Sequence, residues 1–380
     1  MGQFPTIRES ERETLSLVID SLDKFLEPKA AEHRKFDKEG SQTTDYIDAL
    51  KELGLFGLII PEDNGGIGLS NAGYSRVLQQ STYYDGSTSL TIGAHSSIGM
   101  KGLLLFGTDS QKSNYLPKLA SGEMIAAFCL TEPKAGSDAA SINTKAKRNS
   151  DGSWTISGEK IWITNGPIAD FFTVFAKTDE GMTAFIVERS FGGVTSGHKE
   201  DKMGIRSSST SSVLFEEVVV PSENVLGDIG DGFKVAMAIL NNGRTGLGGG
   251  CIGGMKRAIS LACSHANERT QFSKKLSEFS LIQDKIARMS MRCYATESLV
   301  AFVAQAIDGG QDEYSLEAAV SKVYAAESLW IVANEALQIA GGTGYMAEYP
   351  YERIVRDSRI NMIFEGTNEI LRLFIALSGI

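Results

Sequence analysis

The chain has 380 residues, 42% apolar and 22% charged, ordinary proportions for a soluble globular protein. That length exceeds what one hydrophobic core usually organises, so two or three packed units are expected. The 37 Lys+Arg against 47 Asp+Glu give a net charge of -10, which argues against a general nucleic-acid binder, whose phosphate contacts need clustered basic residues.

In chain order, residues 1–125 read as helical. Leu15, Val18, Ile19 and Leu22 recur at helical spacing, and the pattern repeats over 46–53 before Gly54, a C-cap candidate. Pro61 to Gly66 is a turn cluster, after which apolar positions resume from Asn71 to Leu105. Over 126–230 the runs 154–158, 171–176, 183–187 and 213–220 are aromatic and β-branched, with turn residues between them. Strands with no intervening helix predict an antiparallel barrel or sandwich, not βαβ units. From 231 to 380 the helical pattern returns at 232–267, 278–307 and 314–340, with a last helix from Thr367, the signature of a four-helix bundle. The expected fold class is α+β: an N-terminal α-helical domain, a middle antiparallel β-barrel and a C-terminal four-helix bundle.

No apolar run reaches the roughly 20 residues of a membrane span. Met1 to Pro5 carries neither a signal nor a transit pattern, so the start reads as mature or cytosolic. Cys129, Cys251, Cys263 and Cys293 show no CxxC spacing and the four histidines no HExxH, so no metal site is expected and the thiols read as buried and reduced. Gly248 to Gly253 satisfies GxGxxG, but helical periodicity precedes it where a dinucleotide fold requires a strand. So many glycines in one helix, each costing on the order of 1 kcal/mol relative to alanine, demand a reason that the pattern does not supply.

Five segments carry candidate chemistry. Thr131-Glu132-Pro133-Lys134-Ala135-Gly136-Ser137-Asp138 is a turn whose hydroxyls and backbone N–H groups suit ligand oxygens and nitrogens, although a plain surface turn reads the same way. Trp162 and Thr164, two apart on a strand, can wall a flat heterocycle or simply pack a β core. In Phe364-Glu365-Gly366-Thr367-Asn368, apolar company would desolvate Glu365 and raise its basicity, with Thr367 as a helix cap. Arg269-Thr270-Gln271-Phe272 and Gln338 to Gly344 close two long helices and can hold phosphate or merely cap them.

In this order LTEPxxGSD, WITNG, KMGIR, VPSENVLG, RTQF, QIxGGxGY and FEGTN resemble the acyl-CoA dehydrogenase flavoproteins from near residue 10 to the end. Segments 53–57, 103–107, 128–133 and 239–244 are similar to the very-long-chain members. The resemblance implies FAD between the β unit and the bundle. Phe128, Leu130, Thr131, Gly136 and Ser137 would contact its ring and pyrophosphate, Trp162 and Thr164 its ring, and Thr367 and Glu369 would close the site. Arg269, Phe272, Gln338, Gly341 and Gly342 would come from a neighbouring subunit, so a homo-oligomer, dimer or tetramer, is implied.

The resemblance also implies Glu365 as the base that takes the α-proton of an acyl-CoA thioester. Ser137, Asn241, Arg244, Phe364 and Gly366 would line the acyl-CoA cavity, and Gly99 and Gly102 would leave its far end open for a long chain. Family members with the base elsewhere carry a carboxylate near position 243, where this chain has Gly243. Electrons would pass to electron transfer flavoprotein. The implied compartment is the cytoplasm for a bacterial chain and the mitochondrial matrix for a eukaryotic one. The chain stops at Ile380, without the C-terminal extension of the long mitochondrial members, so membrane attachment through it is not expected. Other classes compatible with the pattern are an acyl-CoA oxidase-type relative that uses oxygen and a non-catalytic assembly factor.

Overall fold

The computed structural model describes residues 7–378; the start read at Met1 to Pro5 and the last two residues of the 231–380 unit lie outside the described residues. The chain opens with helices α1 (Arg12–Leu26), α2 (Ala30–Glu39), α3 (Thr44–Glu52), α4 (Asn71–Tyr84), α5 (Gly86–Gly93), α6 (Lys101–Phe106) and α7 (Asp109–Ser121). Ser70 caps α4 and Asp85 caps α5, their side chains accepting from the backbone N–H groups of Gly73 and Thr88. A single π turn, Ala94–Gly99, joins α5 to the α6 region. Leu22, Leu26, Phe36, Leu50 and Phe56 form the heart of this unit's core.

The middle of the chain supplies β1 (Ala126–Cys129), β2 (Lys145–Arg148), β3 (Trp154–Thr164), β4 (Phe171–Thr178), β5 (Gly181–Glu188), β6 (Val194–Lys199), β7 (Thr210–Val220) and β8 (Val225–Leu226). Their order is β6-β7-β3-β2-β4-β5-β8, with β1 added on β4. The predicted antiparallel barrel needs two corrections. Among the described residues no ladder joins β6 to β8, so the sheet stays open. The β1–β4 and β2–β4 pairings are also parallel. The reason is local: about forty residues separate β1 from β4, long enough for the crossover that a parallel pair requires. β4 and β5 are buried almost end to end because both faces are covered. Phe171 and Phe175 pack toward the helices, while Phe172 and Val174 pack inside the sheet unit.

The chain then returns to helices: α8 (Gly232–Glu268), α9 (Ser280–Asp308), α10 (Ser315–Ala340), α11 (Gly342–Tyr345), α12 (Tyr351–Arg359) and α13 (Asn368–Ser378). The sequence does not predict α12, a nine-residue helix with few apolar positions. Among the described residues no helix is long and apolar enough to cross a membrane.

The glycines of α8 find their reason in packing. A Cβ at Gly249 would collide with the carbonyl oxygen of Ser75, and one at Gly253 with that of Gln79, so α8 lies directly on the backbone of α4. The better helix propensity of alanine cannot compensate for forcing those backbones apart. Gly253→Ala should therefore lower stability by about 1–3 kcal/mol. Gly250→Ala, which meets only Thr82 Oγ1 at 3.2 Å, should cost less. Thermal unfolding of the two variants side by side checks the order.

Candidate active site

A cavity of about 620 Å³ opens where the sheet, α4, α5, α8 and the segment before α13 converge. Phe128, Leu130 and Thr131 come to its wall from β1 and the turn after it, followed by Gly136 and Ser137. β3 contributes Trp162 and Thr164. A bulge between Lys160 and Ile163, with Trp162 at φ 57°, breaks the ladder to β7. Trp162 is left 63% exposed while Ile163 is buried, a conformation that strands avoid unless something fixes it. From α8 come Asn241 and Arg244, and from the approach to α13 come Phe364, Glu365, Gly366 and Thr367.

The turn that carries Thr131 is anchored from beneath by a buried ion pair. Glu132 accepts from Lys160 Nζ at 2.8 Å and from the backbone N–H groups of Asn143 and Thr144, while Lys160 also donates to Leu130 O at 3.1 Å. Both side chains are almost completely buried. The sequence reading treats Glu132 only as part of a turn; its partner lies 28 residues away, beyond any local signal.

Glu365 is the focus of the cleft. Its backbone is left-handed, φ 54°, and is followed by Gly366 at φ 91°. Such a conformation costs a non-glycine residue of order 1–3 kcal/mol and persists where the surroundings impose it. Its Oε2 is shut from solvent and has no hydrogen-bond partner. Burial pushes the carboxyl above the ordinary carboxylate range, while Lys322 and then Arg244 pull it back. Arg244 donates from Nη1 to Asn241 Oδ1 at 2.6 Å, and its buried Nε is also unpartnered. Burial lowers its guanidinium against the attraction of Glu365. The cleft thus presents an acceptor and a donor with unmet valences, arranged for an incoming polar group. Thr367 caps α13, accepting from the N–H of Ile370 at 3.4 Å.

Other predicted residues fall elsewhere. Gly99 and Gly102 do not line the cavity, a correction to the expected open far end. A Cβ at Gly99 would press on Ala126 at 2.9 Å, and one at Gly102 on Ile239 and Leu226 at 2.9 Å. They are glycines because the π turn and α6 pack tightly there; the wall is made instead by Leu90, Gly93 and Ala94. Glu369 is exposed in the first turn of α13, outside the cavity wall. Arg269, Phe272, Gln338, Gly341 and Gly342 stand exposed at the C-terminal ends of α8 and α10, away from this cleft; Phe272 is 91% exposed. The sequence reading misses Lys322, a lone lysine among the small residues of α10 that gives no local sign of its partners.

A flavin fits this donor set: an open indole, the hydroxyls of Thr131, Ser137 and Thr164, and a Gly136 position where a Cβ would meet nothing within 4 Å. Models of the acyl-CoA dehydrogenase N-terminal, middle and C-terminal domains match residues 8–123, 127–218 and 230–379. The very long-chain specific acyl-CoA dehydrogenase of Bos taurus mitochondria is 50% identical over 99% of this chain. The chain spans 59% of that relative's length. The solved butyryl-CoA dehydrogenase of Megasphaera elsdenii superposes with a TM-score of 0.93 at 38% identity, covering 98% of each chain. An acyl-CoA dehydrogenase complexed with FAD from Bacillus anthracis gives 0.91 at 38% identity, over 99% of this chain and 68% of that one. The chain belongs to the acyl-CoA dehydrogenase family.

Removing one partner of a buried ion pair typically costs 3–5 kcal/mol. Lys160→Met should therefore lower the melting temperature by several degrees and loosen the 130–144 turn. Thermal unfolding with limited proteolysis, in which cleavage first appears within that turn, checks it.

Proposed function

We propose that the protein is a flavoenzyme that converts fatty acyl-CoA thioesters to trans-2-enoyl-CoA, with Glu365 as its catalytic base. The observation that carries this reading is the Glu365 carboxyl, whose Oε2 is unpartnered and shut from solvent, which burial raises in basicity and which lies in the same cleft as Thr131, Trp162 and Thr164. Thr131, Gly136, Ser137, Trp162 and Thr164 would hold FAD. Arg269, Phe272, Gln338, Gly341 and Gly342 would complete the site of a second subunit, consistent with their exposure on an outer surface.

Bound FAD supplies the acceptor for the β-hydrogen. Glu365 Oε2 takes the α-proton, a transfer that a raised carboxyl favours because its basicity approaches that of the weakly acidic thioester. The backbone N–H of Glu365 would donate to the thioester oxygen, where negative charge develops. Asn241, Arg244, Phe364 and Gly366 would orient the substrate, and the apolar wall would exclude water.

Three finer points belong to the same proposal. A long-chain preference is supported by the likeness to the very long-chain relative and by Gly93 and Gly250 on the cavity wall, where a Cβ would meet nothing closer than 3.2 Å. Electron transfer flavoprotein is the proposed acceptor, as the family likeness implies. The units 1–125, 126–230 and 231–380, with α8, α9, α10 and α13 as the four-helix bundle, are the proposed division of the chain.

Glu365→Gln should keep the flavin and still bind acyl-CoA, yet lose about 10²–10⁴-fold in kcat. Anaerobic flavin bleaching on adding acyl-CoA reads this, and unchanged bleaching in the variant overturns the assignment. Because the base must be ionised, wild-type kcat/KM should fall as pH drops through a value above the ordinary Glu range of about 4.3. A pH–rate profile reads that limb. Across C4 to C18 acyl-CoAs, kcat/KM should peak beyond C8, and a maximum at C4 to C8 would remove the long-chain reading. Release of hydrogen peroxide in air would point to oxygen as the acceptor.

A further inference from the structure

Lys322 sits in the interior of α10 with none of its surface exposed, and no step of the proposed reaction uses it. A buried ammonium persists only when its protons are taken up by partners. Nζ donates to Gly366 O at 2.7 Å and to Asn368 Oδ1 at 2.9 Å. Asn368 Nδ2 donates to Glu327 Oε1 at 3.2 Å, and Glu327 also pairs with Arg372 of α13. One cation therefore ties α10 to the start of α13.

The tie falls on the strained part of the backbone, where Glu365 and Gly366 both have positive φ. Glu365 Oε2 has no partner that could aim it, so the backbone decides where the carboxyl points. We propose that Lys322 is a positioning residue for proton abstraction: its ammonium fixes the Gly366 carbonyl and the Asn368 side chain, and so holds the Glu365 carboxyl in the cleft. This rests on reading Glu365 as the base.

The charge of Lys322 acts on the same carboxyl. The groups facing Glu365 are Lys322 of α10, Arg244 and Cys251 of α8 and Tyr74 of α4, while Glu369 of α13 faces Lys322. Burial pushes Glu365 up, and Lys322 is the first of two cations opposing it. Removing that cation lets Glu365 rise further, so the acid limb of the rate profile moves to higher pH.

Lys322→Met keeps the side-chain length while removing charge and donors; Lys322→Arg keeps the charge. In Lys322→Met, with flavin content retained, kcat at pH 7 should fall about tenfold, KM should change less, and the acid limb should rise by about one pH unit. Lys322→Arg should lie between this variant and wild type. Independently of turnover, amide hydrogen exchange over 363–370 should quicken in Lys322→Met while the middle of α10 stays protected. A Lys322→Met protein with wild-type profile and wild-type exchange overturns the proposal. If it does not fold, Lys322→Gln, a neutral donor, takes its place and should show the same displaced limb. Failure of both to fold assigns Lys322 to bundle stability and overturns positioning. If wild type turns over no acyl-CoA while exchange over 363–370 responds as expected, the reaction is misread and the tether stands.

Discussion

The constraint on which the cleft depends is the close approach of α8 to α4. α8 is 37 residues long and serves every part of the molecule. Its first turns bury Val235, Ala236 and Ile239 in the core shared with Phe175 and Ile186 of the sheet. Its later turns bury Cys251, Ile252 and Met255 against Leu329 and Val332 of α10. Gly249, just ahead of those later turns, and Gly253, within them, let it rest on the backbone of α4. A side chain there would separate the N-terminal helices from α8, and the wall that brings Asn241 and Arg244 opposite β3 would move with it.

The reach of the sequence followed the range of the interactions. The long helices were legible because their periodicity is local, and the strands because aromatic and β-branched runs stand between turns. Closure of the sheet was not, since it depends on pairings between residues far apart in the chain. The β1–β4 parallel ladder has no local signature. Gly99 and Gly102 misled for a related reason. Spacing of i, i+3 implies one face only on a continuous α-helix, and here the helix is interrupted between the two, the π turn ending at Gly99 and α6 beginning at Lys101.

In the candidate site, what was legible lay in contiguous segments: Thr131 to Ser137, Trp162 to Thr164, and Phe364 to Thr367 all reach one cavity. The groups that hold those segments in place were hidden. Lys160 reaches Glu132 across 28 residues, and Lys322 reaches Gly366 across 44. Each is a lysine in an otherwise unremarkable pattern whose meaning appears only when the chain is folded. Segment motifs thus pointed to side chains that line one cavity, while the buried cations beside them required coordinates.

The two buried lysines act on backbone carbonyls in the same way. Lys160 donates to Leu130 O next to the turn that carries Thr131, and Lys322 donates to Gly366 O next to Glu365. A carbonyl so near a cleft faces competition from water and ligand, and a charge-assisted bond is roughly twice as strong as a neutral one. An ammonium also leaves the cleft face free, because its donors approach from the core side. The difference lies in the counter-charge. Lys160 is directly paired with Glu132, so its charge is spent where it stands. Lys322 has only neutral acceptors within hydrogen-bond distance, and the first acid opposing its desolvation is Glu365. Its field therefore reaches into the cleft. A carboxyl buried without such a field would stay protonated and could not accept a proton; one paired directly would lose its basicity. Glu365, unpartnered at Oε2 but within the influence of Lys322 and Arg244, lies between those limits.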